Sequence, residues 1–346
     1  MKLGFSYAGA DVYHSVREDF GDLLRGALNS ERVISAMGPF YSEDPARDVL
    51  APFQRSARET RWSIQSEKDL APDEILEKVR QVRTVAGVQG VQGITDPNEP
   101  LDWTRAGLVL EIARRRGVKF VGRGTAHFDW KMRGTVTGRF GCETHREPGW
   151  SVNPLSMGEE DRRRLVPSDA TRMIAVFDFK AMDVCSMGVI IPEFAKVLGD
   201  HPDPYTRIKE AAHLSAARDV VKLNFLTWAY GGKIDPSLQI VFEHDLWQVG
   251  NYVAGLQHGE FPRKVQATSA IAFRAALSRA LPLLTDIHFI PMLTVHDELA
   301  LDVSEVGLDR LGEVSKALEE GASQRLGRPY RVGIKTGYTY EEAKHG

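Results

Sequence analysis

The stretch Thr294–Val303, T-V-H-D-E-L-A-L-D-V, constrains the fold more than any other. Met292 to Val295 is a short apolar run, and Leu299, Leu301 and Val303 then alternate with smaller or polar residues. Two strands therefore meet at His296-Asp297. A tight hairpin favours Gly, Asn or Asp where φ turns positive, yet here a histidine followed by two acids fills the bend. A carboxylate at such a tip is fixed by the ladder on both sides, which suits a metal ligand. One carboxylate does not hold a divalent ion, so a partner must come from elsewhere in the chain. Alone, an H-D-E turn reads more readily as an acidic surface bend.

The second constraint is Met173-Ile-Ala-Val-Phe177 followed by Asp178, a continuous apolar run of strand length bounded by polar residues. It reads as a strand buried on both faces, whose terminal carboxylate emerges at the sheet edge. Helices are expected from Thr104 to Arg116, from Lys180 to Leu198 with a break at Pro192, after the Asp203-Pro204 cap, from Ser215 to Ala229, from Phe273 to Leu284 and from Leu308 to Leu326. Short strands are expected at Val118–Val121 and Tyr330–Ile334. In the first hundred residues, Val16, Phe20, Leu23, Leu24 and Leu28 recur at helical spacing, as do Ile75, Val79 and Val82. Asp96-Pro-Asn-Glu-Pro100 punctuates the chain and places a boundary near residue 100.

The helix over Ser215–Ala229 is the most informative. Val221, Phe225 and Trp228 form its buried stripe, and Tyr230-Gly231-Gly232 closes it with a C-terminal glycine signal. Arg218, Lys222, Leu226 and Tyr230 recur every four residues and share another face. Two cations one turn apart beside an aromatic can grip a polyphosphate and flank a base. A solvated basic face would look the same.

The length of 346 residues implies two or three lobes. The net charge of −3 argues against a wholesale nucleic-acid coat. Between Leu101 and Arg139, however, nine Lys/Arg stand against three acids, a local basic face suited to a polyanion groove. Cys142 and Cys185 have no metal-type spacing, so neither a disulfide framework nor a zinc site is expected. No apolar signal core or membrane-length run is seen, and a soluble, intracellular protein with no membrane partner is expected.

In order, T-G-R (137–139), a strand ending in Asp178 with Asp183 five residues on, R-x3-K-x7-Y-G (218–231), Q-x-T (266–268) and V-H-D-E (295–298) form one constellation. It resembles the polymerase module of family A DNA polymerases, the group of bacterial DNA polymerase I, over roughly residues 100–346. The resemblance implies an α+β right-hand polymerase fold with an antiparallel-sheet palm (101–177 and 266–346). It also implies the start of the palm's first carboxylate motif and reduced helical fingers (178–265), and a short, mostly helical, thumb-like region over 1–100, with no exonuclease domain. The implied activity is template-directed extension of a primer 3′ end with deoxynucleoside triphosphates, through two Mg2+ ions with Mn2+ as a substitute.

The same resemblance implies the roles of individual residues. Asp178 and Asp297 would hold the metals, with Glu298 as a helper. Arg218 and Lys222 would grip the triphosphate, and Lys222 would also pass a proton to the leaving pyrophosphate. Tyr230, with Gly231 leaving room, would pack on the templating base, and Arg139, Gln266 and His296 would touch the primer or minor groove.

Several positions depart from the family pattern. Asp183 stands where DNA-making members usually have Glu, which bears on sugar discrimination. Leu226 stands where many have an aromatic beside the incoming sugar. Tyr205 falls near a triphosphate-binding His, and Pro262 lies near a slot that often holds Asn. Thr227-Trp-Ala-Tyr-Gly231 is also similar to single-subunit RNA polymerases, so an RNA polymerase or primase is an alternative. A non-catalytic nucleic-acid-binding subunit is another. Primer–template DNA is the expected partner, with room for a processivity factor or partner subunit. The expected location is the cytoplasm of a bacterial host, with a phage-encoded origin in keeping with the trimmed size.

Overall fold

The computed structural model describes residues 99–131, 137–257 and 259–345. The thumb-like region and the helical stripes expected up to residue 98 lie outside the described residues. Helix α1 (Glu99–Arg116) begins ahead of its expected start, and its last turn carries Arg114, Arg115 and Arg116, cations that suit the negative helix C-terminus. Part of the basic face is already neutralised, because Glu111 accepts from Arg114 at 2.6 Å and from Arg115 at 3.1 Å. Past Gly117, at φ 68°, the chain forms β1 (Val118–Phe120), which pairs with β2 (Gly124–Ala126). Two small ladders follow, β3 (Trp130–Lys131) with β4 (Gly141–Cys142) and β5 (His145–Glu147) with β6 (Trp150–Val152). Helix α2 (Glu159–Arg164) then leads into β7 (Leu165–Val166), which returns to pair with β1.

The main sheet has the order β11-β8-β10-β9, antiparallel throughout. Strand β8 (Arg172–Phe179) contains the buried run, with Ile174 to Phe177 at 3% exposure or less. It runs one residue past Asp178 and lies inside the sheet, so the carboxylate leaves the end of an interior strand rather than the sheet edge. β9 (Phe289–Val295) and β10 (Glu298–Ser304) form the expected hairpin. A register shift between Ala300 and Leu301 brings Pro291 opposite Leu301 on the edge strand, where a missing N–H is tolerated.

Helices between β8 and β9 build a second hydrophobic cluster, which includes Phe194, Phe225, Phe242 and Phe261. They are α3 (Met182–Ile190), α4 (Pro192–Leu198), α5 (Pro204–Ala211), α6 (Arg218–Ala229), α7 (Pro236–Asp245) and α8 (Trp247–Ala254). Pro192 starts α4, where its missing N–H is harmless, and the Asp203 side chain caps α5 by accepting from the Tyr205 N–H. Val221 and Phe225 are buried as their spacing predicts, and Phe225 stacks on Phe194 with ring centroids 5.8 Å apart.

Helix α9 (Glu260–Leu284) is much longer than the expected Phe273–Leu284 segment. Pro262 lies in its first turn, where proline does not break a helix, so Gln266 to Thr268 are helical. Phe261 and Val265 enter the second cluster, and Ala272 through Leu284 enter the sheet's core, so one helix spans both.

The remaining elements are α10 (Glu305–Leu308), α11 (Leu311–Leu326), β11 (Val332–Gly337) and α12 (Tyr340–His345). The last strand thus starts two residues later than expected, and Tyr330 is buried instead, its hydroxyl 3.1 Å from Ser186 Oγ. Among the described residues, no helix is long and apolar enough to cross a membrane.

Candidate active site

The β9–β10 hairpin turns on two residues between the paired Val295 and Glu298. His296 takes φ 58°, a left-handed conformation uncommon outside glycine. Backbone in that region concentrates at functional sites. Asp297 follows, and its carbonyl accepts from the Phe179 N–H at 3.4 Å, which ties the hairpin tip to the end of β8. Glu298 pairs directly with Asp178 across the ladder. The sheet thereby collects Asp178, Asp297 and Glu298 at one end.

The three acids have different surroundings. Burial, reinforced by the charge of Asp178, pushes the Asp297 carboxyl up to about 7. Asp178 is exposed to solvent. Partial desolvation and then Glu298 raise its carboxyl, against the pull of Lys344, Lys222 and Lys335. Glu298 is 5% exposed, and its carboxylate accepts from the Tyr340 hydroxyl and from Lys344 Nζ at 2.8 Å. Hence the third acid is held by α12.

Helix α6 supplies the cations. Lys222 Nζ and the Arg218 guanidinium sit over the ring of buried Tyr205, at 5.6 and 5.2 Å from its centroid. They are not equivalent. Arg218 is held by Asp203 at 2.5 and 3.1 Å and by Asp219 at 2.9 Å. Against its partial burial, Asp203 is kept down at about 2 by Arg218, Thr206 and the Tyr205 N–H. Lys222 is exposed and makes no ion pair among the described residues, although its charge reaches Asp178.

At the other end of α6, Tyr230 is the C-cap, and Gly231 at φ 80° donates to Trp228 while Gly232 donates to Thr227. That pair of bonds is a Schellman closure, and it requires the left-handed glycine. The closure aims the Tyr230 hydroxyl at Asp183 Oδ2, 2.9 Å away. Asp183 also accepts from Arg139 at 3.1 Å and from Ser269 at 2.9 Å. Leu226, half-buried one turn before Tyr230, packs against the second cluster.

Arg139, His296, Asp297 and Ser269 line one recess with Gly138 and Phe273. Burial, with Arg139 and Lys344 adding to it, lowers the pKa of His296, so its ring is neutral near pH 7. Gln266 is half-buried on α9 one turn ahead of Ser269.

The structure thus assembles the expected residues from β8, α3, α6, α9 and the hairpin around one region. It also adds Asp203, Ser269, Tyr340 and Lys344, which sequence reasoning missed. Asp203 reads in sequence only as a helix cap. Ser269 follows Gln266 by one helical turn, and Tyr340 and Lys344 show only an i, i+4 spacing in a short terminal segment.

Among the described residues, no group of three or more His, Cys, Asp or Glu is arranged to hold a metal alone. The chemistry of the pair nevertheless fits a divalent ion. Mg2+ is commonly held by one or two carboxylates, with waters and substrate phosphates completing the shell. Asp178 and Asp297 carry no side-chain ion pair among the described residues, and their pKa values are raised, so a cation would relieve their charge.

No protein-family model and no curated protein matches the sequence. Among solved structures, the chain is similar to the POL domain of Pol1 from M. smegmatis in complex with DNA primer-template and dNTP. The TM-score is 0.51 at 14% identity, covering 96% of this chain and 70% of that one. At that identity the likeness is one of architecture, and the chain has a polymerase-like fold of helices and antiparallel sheets.

Proposed function

We propose that this chain is a template-directed DNA polymerase of the family A type, extending a primer 3′ end with deoxynucleoside triphosphates. The observation that carries this reading is the meeting of Asp178 and Asp297 at the end of an antiparallel sheet, within reach of the charge of Lys222. Two Mg2+ ions, or Mn2+ in their place, would be held by those carboxylates and would supply an activated 3′-hydroxyl and charge neutralisation at the leaving pyrophosphate.

The chain's own residues do the rest. Lys222, free of ion pairs among the described residues, binds the triphosphate and gives a proton to the departing pyrophosphate. Arg218 adds a bidentate grip once it leaves Asp203. Tyr205 is the platform that both cations rest on. Tyr230 and Gly231 pack beside the templating base, and Leu226 borders the incoming sugar. Arg139, Gln266 and neutral His296 reach the minor-groove side of the new pair, where acceptors common to correct pairs are read.

A second reading, an RNA polymerase or primase, is favoured by one observation. Asp183, already shorter than a glutamate, is drawn to three donors, an engagement that would leave it less able to block a ribose 2′-hydroxyl. Labelled primer–template extended by the purified chain with Mg2+ and each nucleotide pool in turn separates the two. Extension by dNTPs alone supports the first, and equal use of NTPs supports the second. Loss of all extension in Asp297→Ala is expected under both, and an Asp297→Ala chain as active as the wild type would overturn both. This reading further predicts low processivity without a processivity factor or partner subunit, and mismatched primers left undegraded.

A further inference from the structure

Helix α12 closes over the acidic corner of the site. Glu298 stands opposite Asp178 in the ladder, so the two side chains leave the sheet on the same face, about 5 Å apart at Cβ. Three successive acidic positions in space would make a carboxylate-rich cage. The third acid is bound instead by two residues one helical turn apart. The Tyr340 hydroxyl donates to Glu298 Oε1, Lys344 Nζ donates to Oε2 at 2.8 Å, and that Nζ also lies 3.4 Å from the Tyr340 oxygen.

The helix is seated with little tolerance. A Cβ on Gly337 would lie 2.5 Å from the Ala343 nitrogen, so only glycine lets α12 approach β11 this closely. Arg162 pairs with Glu341, and Lys335 Nζ donates to the Lys344 carbonyl at 3.2 Å.

We propose that Tyr340 and Lys344 are positioning residues that hold Glu298 out of the metal-binding pair, so that the site presents two carboxylates rather than three. The proposal rests on the polymerase reading above. It matters chemically because Mg2+ retains waters and takes phosphate oxygens, whereas an all-protein cage of carboxylates suits larger, oxygen-rich cations. A two-acid site leaves coordination positions for the primer hydroxyl and the nucleotide.

Mn2+ binding, followed by electron paramagnetic resonance on the full chain without DNA or nucleotide, tests this independently of catalysis. Lys344→Met keeps the aliphatic stem and removes the charge. It is expected to release Glu298 and tighten Mn2+ binding roughly tenfold, the effect of one added charge at this range in a partly hydrated site. Lys344→Arg should behave as the wild type. In Lys344→Met combined with Glu298→Gln, the tightening should vanish.

Unchanged Mn2+ affinity in a folded Lys344→Met chain overturns the proposal, as does the same tightening in the Glu298→Gln background or no Mn2+ binding by the wild type. Should Lys344→Met not fold, Tyr340→Phe replaces it, with the same expected direction and the same overturning results. Primer extension run in parallel separates the two readings. A wild type that extends primers with Mn2+ affinity unmoved by these variants removes only this inference. A wild type that shows the expected Mn2+ pattern and extends nothing removes only the polymerase.

Discussion

Asp297 has a raised carboxyl pKa, and that shift has a measurable consequence. Its carboxyl is raised to about 7 in the folded chain by burial and by Asp178, against an ordinary value near 3.8. Between those values the folded state holds a proton that the unfolded state has lost. By linkage, the stability of the metal-free chain should therefore fall as pH rises from about 4 to about 7, and level off above. Asp297→Asn should flatten this slope, and excess Mg2+ should reverse part of it by favouring the ionised form. Urea unfolding at a series of pH values in a chelating buffer measures it; a wild-type slope no steeper than that of Asp297→Asn would contradict the assignment. The identity of Asp297 was readable because a histidine and two acids occupied a bend where small turn residues belong. The fate of Glu298 was not, because its partners Tyr340 and Lys344 lie more than forty positions downstream and only the folded sheet brings them together.

At the scale of elements, α6 shows how one helix face can be legible and still misjudged. The four-residue recurrence of Arg218, Lys222, Leu226 and Tyr230 announced a shared face, and both cations do sit over Tyr205. What periodicity leaves out is that Arg218 is already engaged by Asp203, a residue on another helix's cap. A triphosphate must displace that carboxylate. Asp203→Asn keeps the cap, since asparagine accepts from the same backbone N–H groups, and removes the competing charge. The apparent KM for dNTP should fall by about two- to fivefold, in line with an exposed ion pair worth up to about 1 kcal/mol. Steady-state primer extension tests this, and a raised KM would mean that Asp203 orients Arg218 instead of withholding it. Helix α9 was misjudged for a different reason. The stretch ahead of Phe273 is helical too, and Pro262, in the first turn, does not interrupt it.

Among the described residues, two hydrophobic clusters are joined along α3 and α9 and by a polar seam. At the seam, Ser269 Oγ lies 2.9 Å from both Asp183 Oδ1 and Ser186 Oγ, and Ser186 lies 3.1 Å from the Tyr330 hydroxyl. Tyr230 reaches the same Asp183 from α6. The helical cluster that carries Arg218, Lys222 and Tyr230 is therefore registered against the sheet that carries Asp178 and Asp297 through one hydroxyl on α9, which like α3 contributes to both clusters. Ser269 is 2% exposed, so its removal leaves buried acceptors short of a donor, at a cost of about 1–3 kcal/mol. That cost should fall unevenly, because the sheet's own core is untouched. In Ser269→Ala, amide hydrogen exchange should quicken in α6 and α7 while β8 and β10 keep their protection. Primer extension should lose rate at saturating dNTP, as the cations and acids no longer share a fixed relation. Uniform loss of protection across both clusters would show instead that they unfold as one unit and that the seam carries no separate registration.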